Sequence, residues 1–490
     1  MVPIFDRLHC APPTPTNGRN MNTSLETDYL VVGAGATAMA FVDTLLTENA
    51  DATVLMVDRH HRTGGHWNDA YPFVRLHQPS AFYGVASREL SNWAKDQTGL
   101  NEGLYGLASG VEVLAYFDQV MQQRFLPSGR VRWLPMSEHS KGADGSHQIQ
   151  SLTSGERQQV TVRRKVVDAT HAQTAVPSTH PPKYVVAQGV RCVPVNQLPQ
   201  IDRPYACYTV VGSGKTGMDA ILWLLQNGVP PHRTRWIMPR DAWLLDRANN
   251  QPGADDFERT IGSTIGQFES IAEVTSLTDL FTRLEERGLL MRIDRSVEPT
   301  TYRCAVVSQA ELAQLRRIED VVRMGHVKAI EPTQIVLDQG RVPADADTLY
   351  IDCSAGAIVK PPLGLPVFDG DHINLLMVRW CQPLFSAALT AYVECHLGDE
   401  EAMNALCTVV PSPEAPADWL TMWAVTLANT ARWRQHPGVH AWLSQCRLNS
   451  VTAMMRGVKA DDSAKFARIK ESGAKASAAA ANLPRLLAAI

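Results

Sequence analysis

The segment from Asp28 to Arg59 admits few folds. An apolar run, Tyr29 to Val32, enters a glycine turn at Gly33-Ala34-Gly35. A helical pattern follows, with Met39, Phe41, Val42, Leu45 and Leu46 apolar, and a second apolar run, Thr53 to Val57, ends at Asp58. Strand, turn, helix and strand in this order form a crossover unit with parallel strands. Gly33 permits the tight turn, and Gly35 lets backbone approach a ligand closely. Ala38 takes the third position, where only a small side chain lets helix and strand pack. The free N–H groups from Ala36 onward favour negative charge. Asp58 follows Ala38 by about twenty residues, where an acid reaches ribose hydroxyls. The whole is the context a dinucleotide fingerprint needs.

A second copy runs from Ala206 to Arg240. It has a strand, the turn Gly212-Ser213-Gly214, then Lys215, Thr216 and Gly217 opening a helix, and another strand. Two units in one chain imply two dinucleotides. Arg240 follows the second strand where an acid would suit a ribose 2′-OH; an Arg there suits a 2′-phosphate, so NADPH is preferred over NADH. The alternative for Arg240 is an exposed arginine at a strand end. Lys215 either adds charge near the pyrophosphate or is simply solvated.

At 490 residues the chain suits two or three domains. A net charge of −4 and scattered Lys and Arg argue against nucleic acid as a partner. No apolar run reaches the about eighteen residues of a membrane span. The nine cysteines form no CxxC, so neither a disulfide framework nor a metal site is suggested, and reduced thiols in a cytoplasmic protein are expected. No dithiol follows the first fingerprint, unlike the disulfide reductases.

After Asp58 come Gly64-Gly65-His66-Trp67 and the loop Tyr71 to Gly84, with Arg75, His77, Gln78, Pro79 and Ser80. With these motifs the chain resembles the two-dinucleotide-binding-domain flavoproteins, and within them the class B flavin monooxygenases: the flavin-containing, Baeyer–Villiger and N-hydroxylating enzymes. The likeness spans roughly Asp28 to Leu397. It implies an α/β fold with two Rossmann-like domains, the NADPH domain inserted into the FAD domain, an antiparallel β meander and a helical C-terminal region. The expected layout is a disordered lead-in over 1–27, FAD-binding parts at 28–205 and 326–400, an NADPH domain at 206–325 and a helical region at 401–490.

The resemblance implies FAD at Gly33, Gly35, Ala36, Ala38, Asp58, Arg59, Gly65, His66 and Trp67, although Trp67 filling core is the alternative. It places Arg75 and His77 beside the flavin, and Arg75, His77 and Gln78 as catalytic candidates. His77 stands where the family has Asn or Asp, so a structural histidine remains open there. The strand Thr348 to Cys353, ending in Ser354-Ala355-Gly356, resembles a family strand that lies against FAD. Gln382 and Phe385 open a helix expected to point at the flavin pyrimidine edge. NADPH falls to Gly212, Gly214, Lys215, Thr216, Gly217 and Arg240.

Two features depart from the family. His171 replaces a glycine after Ala169-Thr170, and the signature FxGxxxHxxx[YFW] is absent. Helices are expected at Val111–Arg124, Leu277–Arg287 and Gln309–Ile318, and a strand at Met291–Val297. Trp419, Trp423, Trp433 and Trp442 read as core. Ala460 to Ile490 reads as a surface helix or flexible tail, with a homo-oligomer contact one role open to it. The implied activity is NADPH-dependent insertion of one oxygen atom from O2 into a small organic substrate through a C4a-(hydro)peroxyflavin. N-oxygenation of an amine or amino acid is expected first, because the Baeyer–Villiger signature is missing. The alternatives are Baeyer–Villiger oxidation of a ketone, an FAD/NADPH reductase or oxidase, and a non-catalytic FAD-binding protein.

Overall fold

The computed structural model describes residues 24–172, 176–356, 360–362 and 364–489. Most of the expected lead-in, residues 1–23, lies outside them, as does Cys10. The first strand already begins at Leu25, within the segment expected as lead-in.

The first unit is β1 (Leu25–Val32), α1 (Ala36–Glu48) and β2 (Val54–Val57), followed by a long loop and α2 (Gly110–Val120). Ser109 caps α2 by a reciprocal exchange with Glu112, which fixes where the loop ends. β3 (Val131–Leu134), β4 (Ser137–Lys141), β5 (His147–Ser151) and β6 (Arg157–Asp168) come next. β7 (Val185–Val186) and β8 (Arg191–Pro194) lead into the second unit: β9 (Cys207–Val211), α3 (Lys215–Gln226) and β10 (Thr234–Ile237). Then follow β11 (Ala242–Asp246), α4 (Phe257–Glu273), α5 (Leu277–Glu286), β12 (Thr301–Val307), α6 (Gln309–Leu315) and β13 (Asp320–Val322). β14 (Val327–Ile330), β15 (Gln334–Leu337) and β16 (Gly340–Pro343) form a meander before β17 (Thr348–Asp352). β18 (Phe368–Asp369), β19 (His372–Asn374) and α7 (Pro383–His396) precede the helices α8 (Glu400–Leu406), α9 (Pro416–Gln435), α10 (Pro437–Gln445), α11 (Ser450–Met454) and α12 (Ser463–Ala488).

Two parallel sheets organise these elements, and the fold is mixed α/β. The first runs β18-β19-β6-β1-β2-β3, with the β4–β5 hairpin attached to β6. The second runs β13-β10-β9-β17-β8 and is parallel throughout. Its strands β9 and β17 are buried along their whole length, as a sheet covered on both faces requires. One core lies between the first sheet, α1, α2 and α7; a second surrounds β9, β10 and α3.

Several expectations need correction. β17 pairs with β9 from Thr348↔Cys207 to Asp352↔Val211, so it belongs to the second sheet and not beside the first. With β8, it widens the second unit beyond 206–325 on both sides. The chain rejoins the first sheet only at β18 and β19. The strand expected at Met291–Val297 is reduced to a bridge between Met291 and Leu244; β12 takes that role ten residues later and pairs with β11 apart from the main sheets. Cys304 and Cys381, expected as free thiols, are joined as a disulfide 77 residues apart. Both sit in left-handed backbone (φ 61° and 57°), a placement that spacing along the chain does not reveal. α12 is not a free tail: Ala479, Leu483 and Leu486 are buried, and its side chains reach Ile271 and Val274 of the α4 end.

Candidate functional site

The first glycine turn leaves the start of α1 uncapped. Gly33 has φ +99° and donates its N–H to the Val57 carbonyl (2.7 Å), which locks the turn onto β2. Gly35 precedes α1, whose N-terminus has no side-chain cap and no acid in its first turn. The orphan N–H groups near Ala36 are left for a ligand. Ala38 is fully buried against the sheet. Gly64 donates to the Ala34 carbonyl (2.9 Å), and a Cβ at Gly65 (φ +55°) would lie 2.9 Å from Gly35 Cα. The Gly64-Gly65 turn therefore lies directly on the glycine turn, and only glycine permits that approach.

Asp58 is 9% exposed. Its Oδ2 accepts from the Ala34 N–H (2.6 Å), and its Oδ1 lies 2.8 Å from both the N–H and Nδ1 of His60. His60 Nε2 lies 2.9 Å from Asp69 Oδ2. The hydrogen bond to Asp58, supported by Asp69, raises the imidazole pKa to about 9. Arg59 is exposed and paired with Glu138. His66 is exposed and stacks on Trp67. Trp67 is a core residue, its Nε1 donating to Tyr83 Oη (2.7 Å), so the core alternative describes it.

The second turn repeats the plan. Gly212 has φ +123°, and Gly214 precedes α3, which again lacks a side-chain cap and an acid. A Cβ on Gly214 would meet nothing within 4 Å, whereas one on Gly217 would lie 2.2 Å from the Gly212 carbonyl. Lys215 is neither solvated nor free: it pairs with Asp219, whose other oxygen accepts from Tyr71 Oη (2.6 Å). Thr216 lies in the first turn of α3, beside Tyr71. Ser213 Oγ donates to the Arg240 carbonyl (2.9 Å), holding the strand end against the turn. Arg240 is not a free arginine; it donates to Glu414 (2.9 Å). Ser354 and Ala355 follow β17 and therefore flank this second turn: a Cβ on Gly212 would lie 2.5 Å from the Cys353 carbonyl and 3.3 Å from the Ser354 nitrogen. The matching neighbours of Gly33 are Ala169 and Thr170.

The loop Tyr71–Gly84 runs between the two units. Besides the Tyr71 contact, Phe73 stacks on Trp223 of α3 (5.4 Å), and the His77 carbonyl accepts from Arg247 Nε (3.0 Å). Arg447 holds the far end through the carbonyls of Ala81, Tyr83 and Val85. His77 Nδ1 is buried without a hydrogen-bond partner among the described residues. Burial, then the charges of Lys215 and Arg247, push the ring pKa down to about 3, so the imidazole is neutral. Such a ring offers a hydrogen bond but does not serve as a charged acid near neutrality. Arg75 does not join it: bridged to Ser109, it lies exposed and donates to the Leu107 carbonyl (3.0 Å). Gln78 lines a small cavity with Phe82, Asn250, Gln382, Phe385 and Ser450. The expected loop and the start of α7 thus meet. The α7 N-terminus too has no side-chain cap.

Two arginines complete the site, Arg247 buried and Arg379 half-buried, and neither was singled out by the sequence. Arg247 is fully buried and binds Glu311 (2.7 Å), Asn101 (3.0 Å) and the His77 carbonyl. Arg379 donates to Gln382 (3.3 Å) and Asn449 (2.9 Å) and lies over the rings of Phe385 and Trp433. Burial lowers its pKa to about 9, and no carboxylate pairs with it among the described residues. Phe385 is accordingly core, covered by that guanidinium. The one visible signal was Arg379's setting between Val378 and Trp380 in an apolar run.

The uncapped helix starts, the glycine cradles and the strand-end chemistry fit a dinucleotide at each unit. No protein-family model matches the chain. It is 51% identical over 449 residues to the uncharacterized proteins Rv2000 of Mycobacterium tuberculosis and Mb2023 of Mycobacterium bovis, covering 90% of this chain and 81% of theirs. Among solved structures, it is similar to a polycyclic ketone monooxygenase from Thermothelomyces thermophila, with a TM-score of 0.50, 13% identity, and coverage of 94% of this chain and 88% of that one. The chain belongs to the family of Rv2000, and its fold is that of the two-dinucleotide-binding-domain flavoprotein monooxygenases.

Proposed function

We propose that the protein is an FAD-containing, NADPH-dependent monooxygenase that inserts one oxygen atom from O2 into a small organic substrate, an amine or amino acid being oxygenated at nitrogen. One observation carries this reading: two uncapped glycine turns, one beside an acid and one beside an arginine, are bridged by one loop bearing a neutral, unpartnered histidine.

Gly33, Gly35, Ala36, Ala38, Asp58 and Gly65 hold FAD in this account, with the α7 N-terminus and Gln382 at its ring. Gly212, Gly214, Thr216, Gly217 and Arg240 hold NADPH. When bound, FAD accepts hydride from NADPH and activates O2. The chain supplies position and electrostatics. His77 Nδ1 offers a hydrogen bond between the units without carrying charge. Gln78 and Gln382 line the cavity. The Arg379 guanidinium and the free N–H groups of α7 favour negative charge at that end of the site.

The test supplies FAD-loaded protein with NADPH, O2 and a panel of amines, amino acids and cyclic ketones, with products read by mass. An amine product heavier by one oxygen, formed with NADPH consumption, is expected. A lactone from a cyclic ketone would replace N-oxygenation by the Baeyer–Villiger reaction. Hydrogen peroxide equal to the NADPH consumed, with no oxygenated product from any substrate, would contradict the monooxygenase reading in favour of an oxidase.

A further inference from the structure

Arg240 is not alone at the end of β10. Arg303 from β12 and Lys360 converge with it on one carboxylate, that of Glu414, at 2.9, 2.6 and 3.4 Å. Three cations share a single negative charge, so the cluster keeps a surplus of two positive charges. That surplus matches the charge of a phosphomonoester dianion. The cluster is contiguous with the second glycine turn through the Ser213–Arg240 hydrogen bond.

Glu414 comes from the C-terminal region, 174 residues after Arg240 and 111 after Arg303. Its backbone is pinned: its carbonyl accepts from the Tyr302 N–H (2.8 Å), and its own N–H donates to Asp418 at the start of α9 (2.9 Å). Its side chain is 35% exposed, so the carboxylate has room to turn into solvent while the backbone stays in place. A phosphate entering beside a fixed Glu414 would meet like charge; with Glu414 turned away, it would meet three donors.

We propose that Glu414 is an internal competitor for the 2′-phosphate of NADPH: its carboxylate holds Arg240, Arg303 and Lys360 where that phosphate binds, and turns out when it does. The inference rests on reading the second unit as the NADPH site. It adds a specificity determinant, since Glu414 opposes the phosphorylated dinucleotide and leaves the unphosphorylated one untouched. It also ties dinucleotide binding to the segment that leads into α9.

The experiment is calorimetric titration of the full chain with 2′,5′-ADP and with 5′-AMP, for the native protein and for Glu414→Gln. The substitution keeps the side chain's shape and the backbone contacts. The native chain is expected to bind both ligands, and E414Q to bind 2′,5′-ADP at least about tenfold tighter with 5′-AMP unchanged. Unchanged or weaker 2′,5′-ADP binding by E414Q, with 5′-AMP still bound, would overturn the competitor and leave the nucleotide site standing. Binding of neither ligand to either protein would overturn the nucleotide reading and the competitor together. Arg303→Met supplies a second reading should E414Q fold poorly: it is expected to weaken 2′,5′-ADP about tenfold and spare 5′-AMP, and equal affinities would overturn a phosphate site at this cluster.

Discussion

The two crossover units share one plan and differ at three positions around their glycine turns. Each has a strand, a glycine at positive φ, an uncapped helix and a third parallel strand beside the turn. Each third strand ends the same way. Asp168 Oδ1 accepts from the N–H and hydroxyl of Thr170, and Asp352 Oδ1 accepts from the N–H and hydroxyl of Ser354. The differences lie at the third fingerprint position (Ala38 against Gly217), in front of the second glycine (Gly65 backbone against open space) and at the strand end (Asp58 against Arg240). In the function we propose, the shared part serves a pyrophosphate and the strand end tells a ribose hydroxyl from a ribose phosphate. The loop Tyr71–Gly84 packs against both units.

The largest expected effect comes from separating the units. Arg247→Met leaves Glu311 buried without its partner and is expected to cost about 3–5 kcal/mol in urea unfolding. A loss below about 1 kcal/mol would show that the loop docks without this pair. Next is the third position. Gly217→Ala drives a Cβ into the Gly212 carbonyl and is expected to cost about 1–3 kcal/mol, while Ala38→Gly costs about 1 kcal/mol through chain entropy and one lost buried methyl. Equal losses would erase that contrast. Arg240→Ala is expected to weaken 2′,5′-ADP by about 1.5–3 kcal/mol and leave 5′-AMP unaffected, read by calorimetry.

The smallest effect sharpens the first unit. The His60 pKa is raised in the folded chain to about 9, so its contribution is fully present below about pH 6.5 and is lost as pH rises through about 9. His60→Gln is expected to lower the unfolding free energy by about 1 kcal/mol at pH 6 and to match the native protein at pH 10. A difference that persists at pH 10 would assign His60 a packing role instead.

The crossover units were legible because their signals are local: glycine spacing, helical periodicity and the residue ending each second strand. Gln78 and Gln382, over three hundred residues apart, line one cavity. What the sequence hid depends on pairing between distant segments. β17 has the apolar run of any buried strand, and nothing in Thr348–Asp352 says which glycine turn it adjoins. Arg247 and Arg379 look like ordinary arginines until the fold buries the first and sets the second over Phe385 and Trp433, and Arg75 matched the family spacing yet faces solvent. The Cys304–Cys381 contact likewise joins β12 to the turn before α7, two segments with no common period.

In the function we propose, one unit carries FAD and the other delivers electrons to it from NADPH. Anaerobic titration tests this directly: the chain is saturated with FAD, freed of excess and followed by flavin absorbance as NADPH or NADH is added. Stoichiometric FAD is expected to stay with the chain and to be bleached by NADPH, with NADH far less effective. A chain that retains no FAD, or one whose bound FAD stays oxidised in excess NADPH, would contradict it.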